Sequence, residues 1–215
     1  MKKALIFQGG WPGHHPEEVA NMLEEWLTGE GIDVEVADTL NCLLDRDKLL
    51  QMDLVIPNWT MGRIGDEALQ NLMEAVERGA GLAGLHGGMG DAFREAPGFQ
   101  YMVGGQFVAH PGGDSVAYSV RIADRHHPIT QGLTSFDVVS ELYYMHVDPA
   151  IRVLAETTAH NGSAMPVAWT KSYGAGRVFY CSLGHTPDVL RMEPVKTMVI
   201  RGMKWAARTG KEGHR

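Results

Sequence analysis

Cysteine is nearly absent from this 215-residue chain: only Cys42 and Cys181 occur. Two thiols build no disulfide framework and stand in no metal-ligand spacing, which points to a reducing, cytoplasmic setting. Clusters of basic residues are missing as well. With 19 Lys+Arg against 26 Asp+Glu the formal charge is −7, so the chain sets up no field to draw in nucleic acid or an anionic membrane surface. No apolar run approaches membrane-spanning length. Met1-Lys2-Lys3 is followed by only Ala4-Leu5-Ile6-Phe7 before Gln8-Gly9-Gly10, too short an apolar core for a secretory signal. There is no Walker phosphate loop, no His-Glu-x-x-His and no Cys-x-x-Cys. The first βα unit also lacks a complete dinucleotide fingerprint, so no tightly bound nucleotide is expected. What the chain holds in quantity is glycine, 26 residues, and histidine, ten.

The hydrophobic pattern is that of an α/β protein. Lys3-Ala4-Leu5-Ile6-Phe7 is a short apolar run ending in Gln8-Gly9-Gly10, the form of a buried parallel strand and its loop. Beyond Pro16, Val19, Met22, Leu23, Trp26 and Leu27 share one helical face, closed by Gly29 and Gly31. Asp33 to Ala37 and Asp53 to Pro57 read as further strands. Asp66 is expected to cap a helix carrying Leu69, Leu72, Met73 and Val76, and Gly81 to Leu85 is a fourth strand running into His86. Strands separated by helices imply βαβ crossovers and an open, mostly parallel sheet. In the second half Val116 to Ala123 alternates as a half-exposed strand. Pro166 to Lys171 and Arg177 to Ser182 flank the turn Ser172 to Gly176 as an antiparallel hairpin. A last helix carries Val195, Met198, Val199, Gly202, Met203 and Ala206 on one face. No linker, repeat or low-complexity stretch interrupts residues 1–215, which read as one domain with a frayed polar tail from Thr209.

Ligands of open parallel sheets bind outside the carboxyl ends of the strands. His14 and His15 follow the first strand, His86 the fourth, and His185 the strand ending near Leu183, so three strand ends deliver imidazoles to one rim. Gly84-Leu85-His86-Gly87-Gly88 has the spacing of a strand-to-helix elbow, with histidine where hydrolases carry Ser or Cys. An imidazole there acts as base or metal ligand; the plain alternative is an incidental histidine in a glycine-rich turn. His110 lies in Gly104 to Gly113, a stretch too glycine-rich for helix and read as a loop. Glu141, between apolar neighbours, is a ligand, a base, a sugar-hydroxyl acceptor or half of a structural ion pair. Trp11, Trp59, Tyr143 and Tyr144 suit stacking on a sugar ring, although aromatic residues more often serve the core. His126-His127-Pro128 reads as a structural turn, and His146, His160 and His214 have no supporting context.

Taken together these residues resemble the trehalose-utilisation (ThuA-like) family, a branch of the class I glutamine amidotransferase-like superfamily. The likeness runs through Gly84 to Gly88, Val103 to Phe107 with His110-Pro111, and His127-Pro128-Ile129-Thr130-Gln131-Gly132-Leu133. It continues through Glu141-Leu142-Tyr143, Met165 to Thr170, Tyr173 to Tyr180, Ser182 to Thr186 and Arg201 to Ala206. The resemblance implies a flavodoxin-like three-layer fold and a role in the use of trehalose and related disaccharides, beside oxidoreductases that make 3-keto sugars. Amidotransferase activity does not carry over. His86 replaces the elbow cysteine, and His185 is followed by Thr186-Pro187 rather than the His-x-Glu pair.

Two readings follow. In the first, the protein is an enzyme acting on a keto-sugar or 3-keto-glycoside by isomerisation, elimination or hydrolysis, because a ring carbonyl acidifies the neighbouring C–H bonds. His86, His185 and Glu141 are its expected catalytic residues, and His14, His15, Trp11, Trp59, His110 and Tyr143 its sugar-binding set. His86, His110 and His185 are expected to hold a divalent metal such as Zn²⁺. In the second, a non-catalytic sugar-binding or regulatory module has kept the cleft and lost the nucleophile. The partner is a small sugar in either case, and twelve methionines leave room for a homo-oligomer contact.

Overall fold

The computed structural model describes residues 1–209. His214 and the tail beyond Thr209, expected to fray, lie outside the described residues. The first half alternates strand and helix as β1 (Lys2–Gly10), α1 (Pro16–Gly29), β2 (Ile32–Ala37), α2 (Arg46–Gln51), β3 (Leu54–Thr60), α3 (Asp66–Glu77), β4 (Gly81–Leu85) and the short α4 (His86–Gly90). Then follow α5 (Pro97–Val103), β5 (Gly105–Ala109), β6 (Val116–Ile122), β7 (Phe136–Ser140), β8 (Tyr144–Val147) and β9 (Arg152–Thr158). The last elements are β10 (Ala164–Tyr173), β11 (Gly176–Cys181), α6 (Pro187–Arg191) and α7 (Glu193–Ala206).

The alternation of side chains along the strands divides the core in two. In β1, Ala4 and Ile6 join Val19, Leu23 and Leu27 of α1 and Met198 and Met203 of α7, while Leu5 and Phe7 meet Leu72 of α3 and Phe99 and Met102 of α5. Helices therefore cover both faces, and the fold is a three-layer α/β arrangement. α1 starts on Pro16, whose missing N–H costs nothing there, with Glu17 and Glu18 favoured by the positive end of the helix dipole. At α3 the structure corrects one detail: Gly65 is the N-cap, and Asp66 sits inside the first turn, acting through the dipole rather than by a capping hydrogen bond.

The nine-stranded sheet has the order β2-β1-β3-β4-β11-β10-β9-β6-β7. From β2 to β11 the neighbours are parallel; from β11 to β7 they are antiparallel. The expected hairpin is present as β10–β11, with Ala168 opposite Cys181 and Tyr173 opposite Gly176. A separate two-stranded sheet pairs β5 with β8 antiparallel. Here the loop expected over Gly104 to Gly113 is partly strand. Gly104, at φ +86°, ends α5 in the left-handed region, and the chain passes directly into extended pairing. α7 lies close to the sheet because Gly202 has no side chain: a Cβ there would stand 2.2 Å from the Phe179 ring. No helix among the described residues is long and apolar enough to cross a membrane.

Candidate metal centre

Because β1, β3, β4 and β11 run in one direction, the segments that follow them collect at one edge of the sheet. After β1, Trp11-Pro12-Gly13 forms a tight turn that places His14 in the interior and leaves His15 exposed at φ +49°. His86 opens α4 directly after β4 and is itself at φ +42°. A bulky residue held in that region carries strain of about 1–3 kcal/mol. Two contacts fix it there: the Tyr180 hydroxyl donates to the His86 carbonyl (3.0 Å), and the His86 Nδ1–H donates to the Ser182 carbonyl (2.8 Å). A Cβ on Gly87 would meet the His14 ring at 2.5 Å, so the elbow accepts only glycine beside the histidine. His185 follows β11, and Glu141 arrives from the other half of the sheet in the link between β7 and β8.

Four of these side chains converge. Glu141 Oε2 lies 3.1 Å from His86 Nε2, 3.4 Å from His185 Nδ1 and 3.9 Å from His14 Nε2. One ligand atom from each of the four groups falls within 4.8 Å of all the others. His14, His86 and Glu141 are buried. Burial foremost pushes the His86 imidazole down to about 4, against the pull of Glu141, so its ring is neutral near pH 7. Burial works the other way on Glu141, but the imidazoles of His14 and His185 turned toward it outweigh burial and hold the carboxyl well below its ordinary range.

These protonation states leave a specific deficit. A carbonyl only accepts, so His86 spends its one proton on Ser182 and turns a lone pair toward Glu141. Two acceptors thus face each other at 3.1 Å with no proton between them. His14 Nδ1 is paired with the Thr60 hydroxyl at 2.8 Å, which leaves Nε2 directed at the cluster. His14 Nε2 and His185 Nδ1 are both buried without a hydrogen-bond partner among the described residues. A divalent cation bound by nitrogen and oxygen would satisfy all of these atoms at once.

The remaining predicted residues lie around this group. His110, half exposed at the end of β5, stands outside the four-residue cluster with Nδ1 3.7 Å from Glu141 Oε1. His14 occupies the place in the cluster for which the sequence suggested His110. Tyr143 is buried and stacks on His86 (ring centroids 4.2 Å apart), and burial raises its phenol far above the usual range. Trp11 is 43% exposed and meets His14 edge-on at 4.7 Å. Trp59 is half-buried and lies against the backbone of Gly9. His15, His146 and His160 take no part in the cluster. His127 packs edge-on against Trp205, in keeping with a structural turn. Neither thiol is a nucleophile here: burial pushes Cys42 up to about 11 and Cys181 up to about 12. Thr60 and Ser182, which orient two of the imidazoles, carry no sequence signal that sets them apart from other polar residues.

A family model described as trehalose utilisation matches residues 3–206. Solved structures share the fold. A protein described as ThuA-like from Parabacteroides merdae ATCC 43184 is 21% identical, over 99% of this chain and 93% of that one, with a TM-score of 0.77. Another from Bacteroides uniformis ATCC 8492 is 19% identical over 95% and 91%, with a TM-score of 0.80. A protein named as cytoplasmic from Salmonella typhimurium LT2 is 15% identical over 97% and 100%, with a TM-score of 0.69. Among curated proteins none matches.

Proposed function

The chain belongs to the trehalose-utilisation (ThuA) family, and from that premise we propose that it is an enzyme acting on a keto-sugar or 3-keto-glycoside at a zinc centre. The observation that carries this reading is the set of buried, unsatisfied nitrogens around one carboxylate. His14, His86 and His185 would hold the ion, with Glu141 balancing its charge. A bound Zn²⁺ supplies Lewis-acid polarisation of the sugar carbonyl or an acidified water.

The protein's own groups handle the proton. Glu141 Oε2 faces the imidazoles, whereas Oε1 points to His110. Half-exposed His110, the imidazole outside the cluster, would take the proton from the carbon beside the sugar carbonyl and pass it to solvent, with Glu141 Oε1 orienting its ring. Tyr143 closes the floor beneath His86 and keeps water from the ring face, and exposed Trp11 offers a stacking surface for the sugar. The strained histidine elbow supports descent from the amidotransferase-like superfamily, with the thiol chemistry lost. A cytoplasmic location fits the two free cysteines and the name of the Salmonella neighbour.

The test is metal analysis of the purified protein together with proton NMR on 3-keto-trehalose in D₂O, for wild type and His86→Ala. Stoichiometric zinc, and deuterium beside the carbonyl or free sugar with wild type alone, is the expected result. Ligand broadening without chemistry in either sample would establish the binding module instead. Protein free of metal that chelator neither slows nor destabilises would end the zinc reading.

A further inference from the structure

One charged pair beside the cluster is built more firmly than a surface ion pair requires. Asp91, at the C-terminal end of α4, is 4% exposed. Its carboxylate accepts a fork from Arg94, Nε to Oδ1 at 2.6 Å and Nη2 to Oδ2 at 2.8 Å. The turn carrying them is strapped to the end of β3, since Met61 N–H donates to the Asp91 carbonyl (2.9 Å) and Phe93 N–H to the Met61 carbonyl (3.1 Å). The Arg94 guanidinium lies over Phe107 at 5.6 Å, Phe107 touches Tyr143 at 4.6 Å, and Tyr143 stacks on His86. The contrast is Arg63–Glu95 nearby, with side chains 81% and 70% exposed and a single contact at 2.9 Å. Arg94 is half exposed, and among the described residues its Nη1 has no hydrogen-bond partner.

We propose that Arg94, aimed by Asp91 and supported by Phe107, is a sugar-binding residue that donates from Nη1 to an oxygen of a neutral glycoside whose reacting carbon sits at the His–Glu cluster. The role rests on the keto-glycoside reading above. Two edges of the guanidinium are already satisfied, so the third is presented without further ordering of the side chain. The pair is neutral as a whole, which favours a hydroxyl or ring oxygen over a sugar phosphate or uronate. Its place beside half-buried Phe107 combines a donor with an apolar ring edge, the pairing that pyranose faces require.

The experiment titrates zinc-loaded protein with 3-keto-trehalose, trehalose and glucuronate by calorimetry. The proteins compared are wild type, Arg94→Gln, Arg94→Lys and the control Arg63→Gln. Wild type and Arg63→Gln should bind the neutral sugars alike. Arg94→Gln should bind them about tenfold or more weakly, with KM raised and kcat nearly unchanged and with zinc content and Tm retained. Arg94→Lys keeps the charge but not the fork and should recover only part of the affinity. Arg94→Lys or Arg94→Gln binding as wild type does would overturn the proposal and leave the enzyme reading intact. Glucuronate as the ligand that depends on Arg94 would overturn the neutral-sugar assignment. Zinc-loaded wild type that binds neither neutral sugar would overturn the sugar reading and this proposal together, and the metal centre would stand.

Discussion

The parallel and antiparallel halves of the sheet give the site different kinds of residue. Strands β1, β3, β4 and β11 carry or lead into His14, Thr60, His86 and His185, three imidazoles and the hydroxyl that orients one of them. The antiparallel half and the β5–β8 pair bring Glu141, Tyr143, Phe107 and His110, the carboxylate and the walls around it. The first set sits where any doubly wound sheet gathers its loops. The second exists only because the chain between β4 and β11 folds back over that edge. The imidazoles therefore follow from topology, and the carboxylate they surround comes from the chain between β4 and β11.

The sharpest way to break this comparison is to remove one ligand from each half. His14→Ala and Glu141→Gln should both cost ~10²-fold or more in turnover of 3-keto-trehalose and both lose zinc on dialysis. Glu141→Gln with full zinc content would show that the parallel half suffices for the metal. Chelation should lower the Tm of wild type by about 5–10 °C, from the stabilisation of a ligand held at ~100 times its Kd. Scanning calorimetry with and without chelator reads this, and neither ligand variant should respond. Thr60 is buried and its hydroxyl pairs with His14. Thr60→Val should therefore weaken zinc binding by about 10–100-fold with little change in apo Tm, and Thr60→Ser should not. Competition with a fluorescent chelator decides it. Away from the site the halves also differ in tolerance. Gly202→Ala forces a Cβ into the Phe179 ring and should cost about 1–3 kcal/mol in urea unfolding. Val139→Ser, on the edge strand β7 at a residue 60% exposed, should stay within about 0.5 kcal/mol.

The same division explains what could be read from the sequence. The parallel strands are buried on both faces and announce themselves as apolar runs between helices of clear period, so β1 to β4 and α1, α3 and α7 were legible. β7 and β8 are short and β5 hides among glycines, so their pairing is decided by tertiary contacts that no local pattern encodes; β9 does carry a local signal, the Asn161-Gly162 turn that joins it to β10. In the site, His86 stands out because glycines frame it at the end of a strand. His14 and His15 are neighbours that no spacing rule separates; only the Pro12-Gly13 turn, once folded, turns one in and leaves the other exposed. Glu141 is conspicuous as an acid among apolar residues. Thr60, Asp91 and Arg94 are not, since a hydroxyl or a close charged pair carries no signature until its partners are in place.

The side chains of the cluster come from positions 14, 86, 141 and 185, so it assembles only when distant parts of the chain have met. Such a site has no local fragment that an ion could organise early, unlike a metal knuckle built from neighbouring residues. On the zinc reading, ion capture would be a late event, made by a chain whose layers are already assembled. On that reading, the supply of free ion in the cell would govern the fraction of active molecules, while the yield of folded protein would be set before any ion arrives.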